Sequence, residues 1–527
     1  MRNIKMLRKP PAFLSLLAIG GVALSAGATK QGESAPSVFE AALAGITARP
    51  VYLHASWGLA IADLSPGKTL YEQNAQKLFA PASTTKLFST AAALAAFGPD
   101  HRFVTPVFRT GPVENGQLRG DLVLRASGDP SLSGRIDSSG HLAWTNFDHT
   151  YADGTTSEVT LCRTDALSGI DDLALQIQQA GIRGVHDVLI DDRLFEKAEG
   201  SGSGPSQLVP IVVNDNVIDL EVSPAEQVGG FAKIVYTPVS AYAEFDSAIV
   251  TVAAGQPSHI DVQEVSPQRY SVRGQIALGH APIVQIAEVS SPAAFARALF
   301  IERLRAKGIA VEASEFASAS PLPAADAANL TRVASHTSPP FQEQIKVILK
   351  VSHNLAASLL PLLLSTEGSR HTLDAGMQRE GVLLKQIGVD VGGISFAGGA
   401  GGTRADFVSP SAVIGLLQAM AKRPDFASYH DGMPVLGVDG TLVKAVGAGS
   451  PARGKVFAKT GTLVWEDPLN QRLLLLSKAM SGYLTSASGR QLAIAVYLNN
   501  VSVKDAKEIE EQGRALGEIA ELIYRSF

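Results

Sequence analysis

The order of apolar and polar positions divides the chain into blocks of different character. Between Arg119 and Pro282 it is strand-like: Ile218, Leu220 and Val222 alternate with Asp219 and Glu221, the period-two signature of a strand buried on one face. Apolar β-branched runs at Val185–Ile190, Ile234–Tyr236 and Ile249–Val252 predict further strands. Two helices interrupt them, Asp171–Ala180 closed by Gly181 and Pro292–Lys307 closed by Gly308. The flanks differ. Ser83–Phe97 predicts an alanine-rich helix broken at Gly98-Pro99, and Gln342–Lys350 and Leu355–Leu364 also have helical patterns. Leu473–Thr485 and Arg490–Asn499 are apolar runs joined by Ser486-Ala-Ser-Gly489, a hairpin pattern. The final stretch, Asp505–Phe527, carries Ile509, Leu516, Ile519, Ala520 and Ile523 on one helical face, which predicts a packing face rather than a membrane surface. Two low-complexity stretches, 199–206 and 312–329, read as loop or linker. Together these patterns predict a strand-rich block inserted into an α/β domain whose halves lie at either end of the chain.

Composition narrows the class. The 527 residues are 46% hydrophobic and 18% charged, which excludes a disordered tail protein and leaves ample core for several domains. A formal charge of -5 argues against bulk binding of nucleic acid. The single cysteine, Cys162, rules out an internal disulfide framework and a thiolate-rich metal site. At the start, Arg2, Lys5, Arg8 and Lys9 precede an apolar run from Ala12 to about Leu24, followed by Ala26-Gly27-Ala28. This is the pattern of a cleaved secretory signal over residues 1–28, too short to span a bilayer. No cysteine follows the run, which excludes a bacterial lipid anchor. The expectation is an exported protein with no stable membrane anchor after cleavage.

Three short motifs carry the chemistry. In Pro81-Ala82-Ser83-Thr84-Thr85-Lys86 the serine falls at the start of a predicted helix, near unpaired N–H groups that favour developing negative charge. Lys86, three residues on, lies within reach of its hydroxyl, and a neutral lysine can take that proton. Taken alone this is weak: such a serine is more often an N-cap, and Ser65-Pro-Gly-Lys68 matches the same spacing in a turn. Ser352-His353-Asn354 lies between two helical patterns, where a hydroxyl could relay a proton and an amide could hold a carbonyl, although for the tripeptide alone a turn or a helix cap fits better. Lys459-Thr460-Gly461-Thr462 follows a strand pattern at Val456–Ala458; the lysine supplies a fixed positive charge, the hydroxyls can bind a carboxylate, and the glycine clears space for a ligand beside the backbone.

In this order the motifs match the S-x-x-K, S-D-N and K-T-G set of penicillin-interacting serine enzymes. The long separation of the first two resembles the low-molecular-mass class C penicillin-binding proteins, the D-alanyl-D-alanine carboxypeptidase/endopeptidase family. Further landmarks are similar to that family: Gly120–Leu124 with Gly128-Asp129-Pro130, Ile190-Asp-Asp192 with Phe195, His336–Pro340, Pro434–Leu442, and Ser481–Thr485 followed by Gly489-Arg490. The resemblance implies an α/β (α+β) transpeptidase-like domain, an antiparallel sheet flanked by helices, with a β-rich two-part insertion. On this reading the catalytic domain covers 29–104 and 331–527 and the inserted domains 105–330. It implies Ser83 as nucleophile, Lys86 as general base, Ser352 and Asn354 as the second catalytic element, and Lys459, Thr460, Gly461 and Thr462 as the substrate-binding strand. The oxyanion hole would use the N–H groups of Ser83 and Thr462. The implied substrates are peptidoglycan stem peptides ending in D-Ala-D-Ala, with β-lactams as acylating inhibitors, no metal and no organic cofactor. A serine β-lactamase or esterase, or a non-catalytic wall-binding protein of the same fold, would carry the same trio.

The chain departs from the family pattern at three places. His353 stands where aspartate is usual, Ser358 where an acidic residue is usual, and Gly398-Gly-Ala-Gly-Gly-Thr-Arg404 where the family has D-G-S-G-L-S-R. Activity is expected to survive with altered kinetics. The glycines of 398–402 are not followed by G-K-[ST], so they read as a flexible turn and not a phosphate loop. The eleven histidines include no H-E-x-x-H, and Asp191-Asp192 reads as a solvated turn rather than a metal site.

Overall fold

The computed structural model describes residues 37–64, 68–153, 158–316, 319–324 and 330–527. The predicted signal segment 1–28 and the Ser65–Gly67 part of the second S-x-x-K match lie outside the described residues, as does part of the 312–329 stretch.

Five antiparallel strands form the sheet on which the site is built, in the spatial order Thr69–Gln73, Ser56–Asp63, Gln491–Val503, Arg472–Thr485, Val456–Asp467. Ser56 pairs with Asn499 and Asp63 with Leu492, so the beginning and end of the chain close one sheet. The alternation of the strands sorts its two faces. Leu59, Ile61, Met480, Leu484, Val496 and Leu498 pack against the helices Val38–Thr47 and Ala506–Ser526. On the other face Ala60, Ala62, Ala479, Ala493 and Ala495 meet a core built from the helices Lys86–Phe97, Phe341–Lys350, Asn354–Ser365, Leu373–Gln386 and Pro410–Met420. Small side chains on this second face let the alanine-rich helix Lys86–Phe97, with Ala91, Ala92 and Ala93 fully buried, sit close beneath the sheet. An antiparallel sheet flanked by helices is the architecture that the family resemblance implied.

The intervening chain is strand-rich, as its pattern implied. Thr331–Thr337, Val104–Arg109, Leu122–Arg125 and Val188–Asp191 form one sheet, and Val217–Ser223 lies between Lys233–Thr237 and Ile283–Glu288 in another. Helices Ser168–Gln179 and Pro292–Ala306 share a separate core with them. The apolar run Val185–Ile190 is not one strand. Gly184–Val185 and Val188–Asp191 belong to different sheets, and between them buried Asp187 accepts from the Arg297 guanidinium at 2.6 Å. A charge that must be paired inside ends the strand where hydropathy alone would extend it.

Of the loop or linker expected at 199–206, the structure shows the loop. Ala198–Glu199 pairs with Gln207–Leu208, so the stretch between is the tip of a hairpin. It is seated against the motif residues described below. Among the described residues no helix is long and apolar enough to cross a membrane.

Candidate active site

The predicted helix at Ser83 begins later than its pattern suggested. Ala82–Thr85 is a 3-10 turn and the α-helix runs from Lys86 to Phe97. The tighter turn eclipses positions three apart, and it puts Lys86 Nζ 2.7 Å from Ser83 Oγ. Ala82, just before the serine, is held at φ +47°, a left-handed conformation that costs a residue with a Cβ on the order of 1 kcal/mol or more. Lys86 is fully buried and donates also to Asn354 Oδ1 at 2.7 Å and to the Ala400 carbonyl at 3.0 Å. Burial, reinforced by the positive charge of Lys459, holds its pKa well below that of an ordinary lysine. A buried amine with a lowered pKa beside a serine hydroxyl is the arrangement that activates the hydroxyl as a nucleophile.

The second motif is fixed by groups from the strand-rich block. Ser352 lies at φ +68°, and its carbonyl accepts from the Tyr151 hydroxyl at 2.7 Å. Asn354 donates from Nδ2 to the Ser203 carbonyl at 2.9 Å, in the 199–206 hairpin. Gly202 makes this approach possible: at φ +93°, a Cβ there would lie 2.7 Å from Asn354 Nδ2. Ser201 Oγ accepts from the Gly402 N–H at 3.2 Å. His353, where the family has aspartate, is buried and caps the next helix, its Nδ1 accepting from the Ala356 N–H at 3.1 Å. The ring proton therefore sits on Nε2, which faces Asp215 Oδ1 at 3.3 Å.

Asp215 belongs to a buried charge cluster that sequence reading did not find. Arg135 pairs with Asp148 at 2.8 Å and with Asp215 at 2.7 Å, while His149 lies between Asp215 (2.8 Å) and Asp219 (2.6 Å). Burial opposes each charge, but the partners outweigh it: Asp148 and Asp215 are held below the usual carboxylate range, and Arg135 and His149 are raised. Asn214, Asp215 and Asn216 all have φ near +50°, at 49°, 52° and 57°. A run of Asn and Asp is the one signal in the sequence that could have marked this left-handed turn.

The third motif runs along the strand Val456–Asp467. Lys459 is fully buried, burial pushes its pKa down to about 7, and its ammonium donates to the Thr460 carbonyl at 2.8 Å. Thr460 donates to Thr441 Oγ1 at 2.6 Å, and Lys478 on the neighbouring strand donates to Thr462 Oγ1 at 2.9 Å. Gly461 was expected to clear space for a ligand. Instead a Cβ there would lie 2.5 Å from the Pro81 carbonyl and 3.3 Å from Ser83 N, so the glycine admits the Ser83 turn against the strand. Ser83, Ser352, Thr460 and Thr462 line one cleft of about 340 Å³. Lys86 and Asn354 close its floor through the hydrogen bonds above. All three motifs thus converge, together with Tyr151, Ser203, Ala400 and Lys478, none of which the motifs singled out.

The glycine-rich segment 398–402 is a brace of this floor. Gly401, at φ +92°, lets it lie against Ala82, where a Cβ would come within 1.9 Å of the carbonyl oxygen. Asp406 holds the segment by accepting from Ala397 N–H at 2.9 Å and Thr403 N–H at 2.8 Å. Glu380 is buried and neither carboxyl oxygen has a hydrogen-bond partner among the described residues. Burial, with the Asp406 charge, pushes its pKa up to about 8. A folded pKa above the unfolded one makes stability complete at low pH and lost as pH rises from about 4.5 through 8, by at most about 5 kcal/mol. Glu380→Gln should therefore flatten this part of the stability profile and raise the melting temperature at pH 8 more than at pH 5. Parallel thermal profiles of the two proteins across that range would refute the assignment.

Comparison with known proteins agrees with this architecture. The solved structure of penicillin binding protein 4 (dacB) from Haemophilus influenzae matches with a TM-score of 0.68 over 92% of this chain and 99% of that one, at 21% identity. The same protein complexed with a novel beta-lactam matches with a TM-score of 0.66, at 20% identity and the same coverage of both chains. The fold is therefore that of a penicillin-binding protein. A D-alanyl-D-alanine carboxypeptidase from Actinomadura sp. (strain R39) is 29% identical over 457 residues, 84% of this chain and 78% of the relative. The model of the D-Ala-D-Ala carboxypeptidase 3 (S13) family matches residues 39–518, and the chain belongs to that family.

Proposed function

We propose that this protein is an exported serine-type D-Ala-D-Ala carboxypeptidase acting on peptidoglycan stem peptides. The observation that carries the reading is the 2.7 Å contact of the buried Lys86 amine with Ser83 Oγ, at the point where the Asn354 amide also meets the lysine. Neutral Lys86 takes the Ser83 proton as Oγ attacks the carbonyl carbon of the penultimate D-alanine. The N–H groups of Ser83 and Thr462 take the oxyanion. As the C–N bond breaks, the proton passes through Lys86 and Ser352 to the departing amine, which leaves as D-alanine. Water then attacks the ester carbonyl carbon and gives a proton to Lys86, which passes it to Ser83 Oγ as the C–Oγ bond breaks and the shortened peptide leaves. Lys459, Thr460 and Thr462 hold the terminal carboxylate. The acyl step is the same whether a free D-alanine or a cross-linked peptide departs, so endopeptidase cleavage belongs to the same proposal. The departures from the family pattern leave every one of these groups in place, which favours a working enzyme over a wall-binding scaffold.

The division into a catalytic domain, 29–104 and 331–527, and an insertion, 105–330, is part of this reading, as is export by a signal over residues 1–28. β-Lactams would acylate the same serine. The test is to incubate the purified protein with a fluorescent penicillin, map the adduct by mass spectrometry, and assay D-alanine release from a D-Ala-D-Ala peptide. A long-lived adduct on the peptide containing Ser83 together with D-alanine release is expected. Rapid turnover of the penicillin without D-alanine release would favour the β-lactamase reading, and absence of both on folded protein would favour the scaffold.

A further inference from the structure

Lys478 is a charge in the middle of a mostly apolar strand, and its position gives it a use. It stands opposite Thr462 in the antiparallel pairing of Val456–Asp467 with Arg472–Thr485. Its ammonium donates to Thr462 Oγ1 at 2.9 Å, and both residues line the cleft that holds Ser83. An ammonium has donors only, so at this contact the threonine oxygen can only accept. The Thr462 hydroxyl proton is then left to be given elsewhere, while Thr460 donates to Thr441 Oγ1.

Burial pushes the Lys478 pKa down to about 8, with Glu510 acting against it, so the ammonium is the main form at neutral pH. Lys478 forms no ion pair within 4 Å among the described residues; Glu510, the acidic group that acts on it, is 3.6 Å from Arg514 on the same helix. Gly513, inside the helix Ala506–Ser526, faces it: a Cβ there would lie 3.3 Å from Lys478 Cε and 3.7 Å from Nζ. Glycine in a helix interior costs about 1 kcal/mol relative to alanine, and here its missing side chain leaves room for the lysine. A charge that is half-buried, unpaired and given space is set toward an anion.

We propose that Lys478 is a positioning residue for substrate carboxylate recognition: it directs the Thr462 hydroxyl proton into the cleft and adds a second positive charge, beyond Lys459, at the carboxylate end of the substrate. The inference rests on the carboxypeptidase reading and deepens it. The test compares an N-acyl-D-alanyl-D-alanine peptide with its C-terminal amide, using wild-type protein, Lys478→Met and Lys478→Arg. Preference for the carboxylate, the ratio of the two kcat/KM values, should fall at least tenfold in Lys478→Met, mainly through KM, and be largely restored in Lys478→Arg. Lys478→Gln replaces the methionine variant if that one does not fold. Equal losses on both substrates, leaving the ratio unchanged, would overturn the inference while the carboxypeptidase reading stands. A wild-type protein that cleaves neither peptide and forms no penicillin adduct would overturn the reading beneath it, and the inference with it.

Discussion

Replacing Lys86 with methionine should slow penicillin acylation by about 1,000-fold or more, the scale at which a positioned base contributes to proton transfer, while Ser83→Ala should abolish the adduct altogether. Methionine keeps most of the length of the side chain but has no amine, so Ser83 retains its 3-10 turn and loses the acceptor 2.7 Å away, while Asn354 Oδ1 and the Ala400 carbonyl lose a donor. The pH dependence separates this from a packing effect. Burial, and then the Lys459 charge, lower the Lys86 pKa, so wild-type acylation should rise with pH through an inflection well below the ordinary lysine value of 10.5. Removing the nearby charge with Lys459→Gln should move that inflection upward, because one of the two causes of the depression is gone. Acylation of Lys86→Met at the wild-type rate, or an adduct that persists in Ser83→Ala, would place the chemistry elsewhere.

The proposed catalytic constellation was legible because its parts are local: a serine and lysine three apart, a polar tripeptide between helical patterns, and a lysine-threonine strand each have their own signature. The sheet was legible for a related reason, since the apolar runs Leu473–Thr485 and Arg490–Asn499 need only a tight turn to pair. What the sequence concealed is long-range. Tyr151, Ser203 and Asp215 reach the Ser352–Asn354 segment from positions more than a hundred residues earlier. Nothing in the spacing of a glycine- and serine-rich stretch says whether it is a solvated linker or a loop thin enough to lie against an active-site amide. Strand breaks set by a buried ion pair, as at Asp187 and Arg297, are concealed in the same way. Gly461 shows the limit most clearly: its lack of a side chain was legible, but the neighbour that requires it, the Pro81–Ser83 turn, was not.

Restoring the family's aspartate, His353→Asp, should harm this protein. In an ordinary S-D-N segment an aspartate would accept the N–H at the start of the next helix, and His353 already does that through Nδ1. Its other nitrogen faces Asp215, inside a cluster where Arg135 and His149 already serve three carboxylates, Asp148, Asp215 and Asp219. A carboxylate at 353 would keep the cap, remove the group that faces Asp215, and add a fourth negative charge where no further cation is placed among the described residues. An uncompensated buried charge of this kind costs about 3 kcal/mol or more. The new carboxyl's folded pKa would lie above its unfolded value, so the loss should be absent below about pH 4 and grow as pH rises toward neutrality. His353→Asn, which keeps an acceptor for the cap without a charge, should cost less, and Asp215→Asn should rescue much of the His353→Asp loss. Thermal unfolding of the four proteins at pH 4 and pH 7 reads each of these differences. Equal stability of His353→Asp and wild type at pH 7 would mean that the histidine is merely a cap and that the charge cluster does not discriminate at this position.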